Sequence, residues 1–130
     1  MLMLYCGLRP GEVAALTWRD IDLDKRILHV RHALKSDGSV DMPKTDSGYR
    51  DVPIPEVLAA RLRAEMPDNP FALVCTNSRG ERYTASSMQA MFNVYKNEMN
   101  KAAGCRVVRN QVMPPYAIGE DLTLYCYRHT

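Results

Sequence analysis

The stretch Gly7-Leu8-Arg9-Pro10-Gly11-Glu12 decides how the first part of this 130-residue chain folds. Gly7 can adopt the left-handed conformation that ends a helical turn, and an apolar turn over residues 2–6 precedes it. Pro10 suits the first position of a new helix, because its φ is already helical and its missing N–H would have no helical partner. The stretch therefore predicts two consecutive helices with Arg9 held at their junction.

The predicted junction has the properties of an anion site. Free backbone N–H groups and the positive end of the helix dipole favour a phosphate beside Arg9. Glu12 lies one turn into the new helix and can brace the arginine. On this pattern alone, a solvated surface arginine is the commoner interpretation, and Glu12 is a favourable first-turn acid in any helix.

Composition indicates one globular domain or part of one, large enough to bury a core. Hydrophobic residues make up 46% of the chain and charged residues 25%, and the net charge is +2. This balance excludes a strongly basic coat for nucleic acid. Local basic clusters nevertheless occur, and both solvated faces and a groove that follows a DNA backbone stay open as interpretations. The clusters are Lys25, Arg26, Arg31, Lys35, Lys44 and Arg50, and Lys96, Lys101, Arg106 and Arg109.

The cysteines and histidines do not indicate a metal site. The four cysteines are widely separated and form no Cys-x-x-Cys pair, so neither a zinc site nor a disulfide framework is predicted. His29 and His32 are three apart in a predicted strand, which puts them on opposite faces. The sequence has neither a signal peptide nor an apolar run of membrane length. We expect a soluble intracellular protein without metal or cofactor.

The first half of the chain predicts a helix followed by a three-stranded antiparallel meander. The helix runs from Pro10 to Trp18, since apolar residues follow helical spacing there. The three strands are residues 27–34, 40–45 and 50–54, with turns at 36–39 and 46–48 between them. The fold class is therefore α+β.

The second half predicts further helices. One follows Pro55 and ends near Met66, and residues 72–75 form a short buried stretch before a turn at 77–80. Thr84 can cap a long helix whose apolar spacing predicts one buried face. We expect residues 103–120 to be irregular and a last helix to begin at Asp121 or Thr123. The face of the long helix comprises Met88, Met91, Phe92, Tyr95, Met99 and Ala102.

Several fragments in a fixed order resemble the catalytic domain of the tyrosine recombinases, the phage integrase family. They are residues 5–12 with Leu16, Trp18 and residues 20–22, then 43–45 with 50–54, then 122–123 with 128–130. The resemblance spans essentially the whole chain. It implies a mostly helical catalytic domain with a three-stranded antiparallel sheet, of which residues 1–130 are a part. The family's N-terminal core-binding domain and C-terminal nucleophile segment are absent from this sequence.

The resemblance also assigns roles to residues. Arg9 matches the first catalytic arginine, Glu12 the acid that supports it, Lys44 the lysine on the β-hairpin and Arg128 the second arginine. Arg9, Lys44, Arg50 and Arg128 are then the residues that contact DNA. The residue types suit the chemistry, because negative charge accumulates on the phosphate oxygens during attack and two arginines can clamp it.

Lys44 would protonate the leaving 5′ oxygen in this scheme. A lysine has an ordinary pKa of ~10.4 and is a poor acid at neutral pH. Neighbouring arginines would lower the pKa of Lys44, whereas the DNA phosphate would oppose that shift. The alternative is a hairpin lysine kept for solubility.

Two positions depart from the family pattern. The second box usually reads His-x-x-Arg, and Tyr125 stands three residues before Arg128. A phenol can donate a hydrogen bond to phosphate but cannot shuttle protons near neutrality as imidazole does, so Tyr125 is either a substitute acid-base group or a core aromatic residue. The family's nucleophilic tyrosine lies beyond the Arg-His-Thr segment, and none of the seven tyrosines occupies that place.

The resemblance implies site-specific DNA recombination through a 3′-phosphotyrosine intermediate, with double-stranded DNA as partner. The chain would act in a bacterial cytoplasm, without metal or nucleotide cofactor, and residues 1–130 by themselves would be inactive. A catalytically dead DNA-phosphate-binding remnant is the first alternative, and an unrelated α+β interaction domain is the second. An apolar patch at Leu122, Leu124 and Tyr127 would favour self-association.

Overall fold

The computed structural model describes residues 1–42, 49–124 and 126. Its first helix, α1 (Leu2–Cys6), ends at Gly7 with φ 61° and ψ 28°, and α2 (Pro10–Ala15) begins at Pro10. The two helices and the junction predicted from the sequence are confirmed. The predicted helix end at Trp18 is wrong, because the backbone at Leu16 is already extended. A separate turn follows, in which a carboxylate oxygen of Asp20 accepts hydrogen bonds from Thr17 N at 3.0 Å and from Thr17 Oγ1 at 2.6 Å.

A three-stranded antiparallel sheet lies beside these helices, and two of its strands, at residues 27–30 and 50–53, lie within predicted strands, whereas the strand at residues 21–22 is not among the predicted ones. Its strand order is β1-β2-β5, with Leu28 opposite both Ile21 and Val52, and Val30 opposite Arg50. The strands in chain order are β1 (Ile21–Asp22), β2 (Ile27–Val30), β3 (Ala33–Leu34), β4 (Val40–Asp41) and β5 (Arg50–Pro53).

The predicted strand 27–34 is broken in two, since β3 pairs with β4 in a separate hairpin. His32 therefore lies outside β2, and the opposite-face argument for His29 and His32 does not apply. The break lets β3 pack against α2, where a Cβ added to Gly11 would lie 2.6 Å from the carbonyl oxygen of Leu34. The predicted turn at 36–39 is confirmed by the bond from Lys35 N to Ser39 O, whereas the turn at 46–48 lies outside the described residues.

Two helices complete the core, α3 (Glu56–Glu65) and α4 (Ala85–Ala102). Thr84 caps α4 as predicted, accepting a hydrogen bond from Ser87 N at 3.1 Å. The prediction of one buried apolar face is wrong for half of its residues. The helix α4 packs through a narrower stripe that ends at buried Asn100. The buried members are Met88 and Phe92, Met99 is partly buried, and Met91, Tyr95 and Ala102 are exposed.

Residues 103–120 were expected to be irregular, but they contain a hairpin of β6 (Val107–Val108) and β7 (Gln111–Val112). Arg109 and Asn110 form its turn with φ values of 47° and 64°, the left-handed pair that a two-residue hairpin requires. Leu124 is buried, and the rest of the predicted last helix falls largely outside the described residues. Within the part of the chain that the structure describes, no helix has the length and apolar character needed to cross a bilayer.

The core lies between the helices and the inner face of the sheet. Leu8, Leu28 and Leu58 are its most buried large side chains. Residues 72–75, predicted as a buried stretch, are partly buried and hydrogen-bond to the segment after α2, with Val74 N donating to Leu16 O at 3.0 Å. The fully buried Leu8 fixes the junction between α1 and α2, and Arg9 follows it directly.

Candidate active site around Glu12

Arg9 occupies the N-cap position of α2 with an extended backbone, at φ −73° and ψ 152°. Its side chain is 50% exposed, although the preceding Leu8 is wholly buried. Leu8 is buried on one side of Arg9, and α2 begins on the other side. The backbone of Arg9 is therefore fixed, while its guanidinium lies at the surface. This is the placement that the sequence predicts.

Glu12 joins Arg9 to the helix. One carboxylate oxygen accepts the Arg9 backbone N–H at 2.8 Å, and the other accepts Nη1 of Arg9 at 3.1 Å. The Glu12 side chain is only 6% exposed. The brace expected from the spacing of three residues is therefore present, and it uses a buried carboxylate.

Arg50 is the second arginine on this carboxylate. Its Nη1 and Nη2 each donate to one oxygen of Glu12 at 2.9 Å, which is the bidentate geometry of the strongest arginine–carboxylate pairs. Arg50 begins β5, and the pairing of Arg50 with Val30 in β2 brings its side chain to the inner face of the sheet. The family resemblance puts Arg50 among the DNA contacts, and no local pattern predicts its bond to Glu12, because 38 residues separate the partners.

The two arginines determine the charge of Glu12. Burial by itself would raise the pKa of this carboxyl group, but the hydrogen bonds from Arg50 and from Arg9 outweigh it and hold the pKa below its ordinary value. The same bond raises the pKa of Arg50. The site therefore carries two cations and one ionised carboxylate, a local net charge of about +1.

Among the described residues, the lysines and arginines of the first basic cluster form ion pairs of their own. Lys25 pairs with Asp22 at 3.5 Å, Arg26 with Glu56 at 2.8 Å and Arg31 with Asp51 at 3.4 Å. Lys35 also pairs, with Asp41. These local pairs favour solvated faces over a continuous basic groove in this region.

A second cluster lies on the outer face of the sheet. Asp51 is opposite His29 in the β2–β5 ladder and lies 2.7 Å from its Nδ1, while Nη2 of Arg31 lies 3.4 Å from the same carboxylate oxygen. The His29 bond is the largest cause of a lowered pKa of Asp51. No local motif marks this cluster, because 22 residues separate His29 from Asp51.

The structure thus brings together three of the predicted site residues, Arg9, Glu12 and Arg50. The other three, Lys44, Tyr125 and Arg128, lie outside the described residues. Whether their side chains converge on Arg9 stays a prediction. The described half of the site can hold an anion at Arg9, since in the described part of the chain the side chain of Arg9 is bonded to Glu12 through Nη1 only.

Comparison with known proteins identifies the class. The sequence pattern of the phage integrase family matches residues 1–112, so the chain belongs to that family. The prophage integrase IntR of Escherichia coli K12 is 49% identical over 49 residues, which are 38% of this chain and 12% of IntR. A XerC-like tyrosine recombinase of Caldanaerobacter subterraneus is 35% identical over 75 residues, 48% of this chain and 19% of that protein.

The fold agrees with solved structures. The integrase of transposon Tn1549, in complex with transposon right end DNA, matches 98% of this chain with 26% identity and a TM-score of 0.72. The XerA recombinase shares the fold at 21% identity and a TM-score of 0.59. The described fold is therefore that of a tyrosine recombinase catalytic domain, and the α+β prediction is confirmed. The match covers 42% of the Tn1549 chain and 38% of the XerA chain.

Proposed function

We propose that this chain is part of a catalytic domain that breaks and rejoins DNA in site-specific recombination. The observation that carries the proposal is the exposed Arg9 guanidinium, held at a helix start by the buried carboxylate of Glu12. A scissile phosphate beside Arg9 would meet a positive charge whose position is already fixed. The DNA complexes of the related Tn1549 integrase support DNA as the partner.

The reaction that fits the family is transesterification at phosphorus. A tyrosine hydroxyl would attack the phosphorus and give its proton to the group in the acid-base position. A 3′-phosphotyrosine bond would form, the bond from phosphorus to the 5′ oxygen would break, and that oxygen would leave with a proton. Arg9 and Arg128 would hold the non-bridging oxygens, Lys44 would supply the proton to the leaving oxygen, and Tyr125 would take the acid-base position. The covalent intermediate conserves the phosphodiester energy, so the scheme needs no nucleotide cofactor.

The competing function is DNA-phosphate binding without catalysis. None of the seven tyrosines lies where the resemblance places the nucleophile, which favours this alternative for residues 1–130 taken by themselves. A duplex with a nick beside the cleavage point traps a covalent intermediate. We expect no covalent adduct between this 130-residue chain and such a duplex, and an adduct on denaturing gels would contradict the expectation.

DNA binding itself tests both functions. We expect weak, sequence-independent binding to a short duplex that falls as salt rises, since few phosphates are neutralised. Arg9→Ala should weaken binding about tenfold at low salt, the value of one good charge-assisted contact. Arg61→Ala is the matched control, because Arg61 also pairs with a glutamate, Glu65, at 2.8 Å, but on the exposed face of α3. Equal losses for the two variants, measured by fluorescence anisotropy, would defeat the proposal.

Self-association also stays a prediction. Leu124 is buried and Leu122 is partly buried, while Tyr127 lies outside the described residues. Larger exposed apolar side chains occur on α4 at Met91, Val94 and Tyr95. Sedimentation of the chain over a range of concentrations would detect association through either surface.

A further inference from the structure

We propose that Arg50 is a positioning residue for Arg9 and acts through Glu12 rather than by contact with DNA. This inference rests on the proposed function, in which Arg9 holds the phosphate. It gives Arg50 a role different from the direct DNA contact that the resemblance implied. The site would then contain one arginine for the ligand and one arginine for the carboxylate.

The geometry distinguishes the two arginines. Arg50 uses both terminal nitrogens on Glu12, at 2.9 Å each, and its side chain is 27% exposed. Arg9 uses one terminal nitrogen at 3.1 Å, and its side chain is 50% exposed. Arg50 is therefore committed to the carboxylate, whereas Arg9 keeps most of its donors for a ligand.

Glu12 could not orient Arg9 without Arg50. A carboxylate with 6% exposure is costly to keep ionised unless strong partners compensate its lost hydration. Arg50 supplies two charge-assisted bonds to Glu12 from another element, the start of β5. It fixes the plane of the carboxylate, and that plane in turn fixes the direction in which Arg9 Nη1 must point.

The local charges also favour Arg9 as the arginine for the ligand and Arg50 as the arginine for the carboxylate. Two arginines without a carboxylate would repel each other and both would turn to solvent. Glu12 neutralises one positive charge, so about one net positive charge remains, and it is centred on the more exposed Arg9. Replacing Arg50 should therefore loosen Arg9 even though the two arginines make no hydrogen bond to each other among the described contacts.

The first arm of the test needs no DNA. Nitrogen-15 NMR of the arginine side chains reports how freely the Arg9 guanidinium moves and rotates, compared across Arg50→Lys, Arg50→Met, Glu12→Gln and the control Arg61→Met. We expect Arg9 to become markedly more mobile in the first three variants and to stay unchanged in the control. Arg50→Lys keeps the charge but cannot form the two-nitrogen fork, so it serves if Arg50→Met fails to fold.

The second arm is a double-mutant cycle on binding of a short DNA duplex at low salt. If Arg50 acts through Arg9, Arg50→Lys should weaken binding to nearly the extent of Arg9→Ala, and the double variant should lose no more than Arg9→Ala does. If Arg50 contacts phosphate itself, Arg50→Lys should bind nearly as the parent does and the losses of Arg9→Ala and Arg50→Met should add.

The two arms separate the two proposals. Unchanged Arg9 mobility in Arg50→Lys, or additive binding losses, would overturn the positioning role while leaving DNA binding by Arg9 intact. Increased Arg9 mobility in Arg50→Lys, together with DNA binding that is insensitive to Arg9→Ala, would support the positioning role and defeat the proposed function.

Discussion

A carboxylate with two basic partners lies against each face of the β2–β5 ladder. On the inner face Glu12 reaches Arg50, with Arg9 as the second partner, and on the outer face Asp51 meets His29 and Arg31. The Glu12 side chain is 6% exposed and that of Asp51 is 53% exposed. A carboxylate with two basic neighbours is therefore a fixed scaffold in one place and a hydrated surface cluster in the other.

The strength of an ion pair depends on how far its surroundings exclude water. Water competes for each charge of the outer cluster, so its bonds add little to the free energy of unfolding. The inner cluster excludes water from the carboxylate, so loss of one partner leaves a charge without compensation.

Glu12→Ala should be the most damaging single change at either cluster. It leaves Arg50 half-buried without its anion and removes the brace of Arg9. We expect the free energy of unfolding to fall by about 3 kcal/mol, near the lower end for breaking a buried pair. Urea denaturation followed by circular dichroism measures the loss. A loss no larger than that of Asp51→Ala would contradict the distinction between the faces.

Gly11→Ala should come next, through packing instead of charge. The added Cβ would lie 2.6 Å from the backbone oxygen of Leu34, which cannot turn aside as a side chain could. We expect a loss of about 1–2 kcal/mol, because this overlap exceeds the gain in helix propensity from replacing glycine. The inner bond between Glu12 and Arg50 should loosen while the His29 ring signals of the outer cluster stay in place. Equal or greater stability would show that α2 shifts at no cost.

Acid should destabilise the protein through Glu12. The pKa of Glu12 is lower in the folded than in the unfolded chain, so the stabilisation is fully present above the unfolded value, ~4.3 for glutamate. It falls as the pH drops through that value and is gone below the folded pKa. Urea midpoints at a series of pH values should therefore fall less steeply below that pH in Glu12→Gln than in the parent. Parallel curves would contradict this assignment.

Asp51→Ala should have the smallest effect. Its side chain is half-exposed, so we expect a smaller change in the free energy of unfolding than for Glu12→Ala or Gly11→Ala, and salt should reduce it further. Thermal unfolding at low and high salt measures the difference. A salt-independent loss as large as that of Glu12→Ala would show that the outer cluster is also structurally essential.

Local sequence predicted the parts of the site that depend on neighbouring residues. Gly7 and Pro10 set the junction, and the spacing of Arg9 and Glu12 set their bond. The same holds for the cap at Thr84. In each case the interacting groups lie within one helical turn, so their distance follows from backbone geometry.

Predictions from local sequence are wrong where a segment has more than one element available to pair or pack with. The strand at residues 27–34 could have continued, but β3 instead turned to pack against α2, and Ile21–Asp22 took a place in the sheet. On α4, helical spacing identified an apolar face, but the size of the neighbouring surface left Met91 and Tyr95 exposed. The spacing of apolar residues gives the period of a helix face, but it does not give the area of that face that another element covers.

The sequence by itself determined the junction that presents Arg9, the α+β class and the family, because each depends on short-range geometry or on ordered motifs. Only the tertiary structure decided that Gly11 faces the backbone of Leu34, that Glu12 is buried and that Arg50 occupies both of its oxygens. These contacts join residues 23 and 38 positions apart. Their physical reason is the pairing of β5 with β2, which carries Arg50 to the inner face of the sheet, where little water remains to compete for the carboxylate.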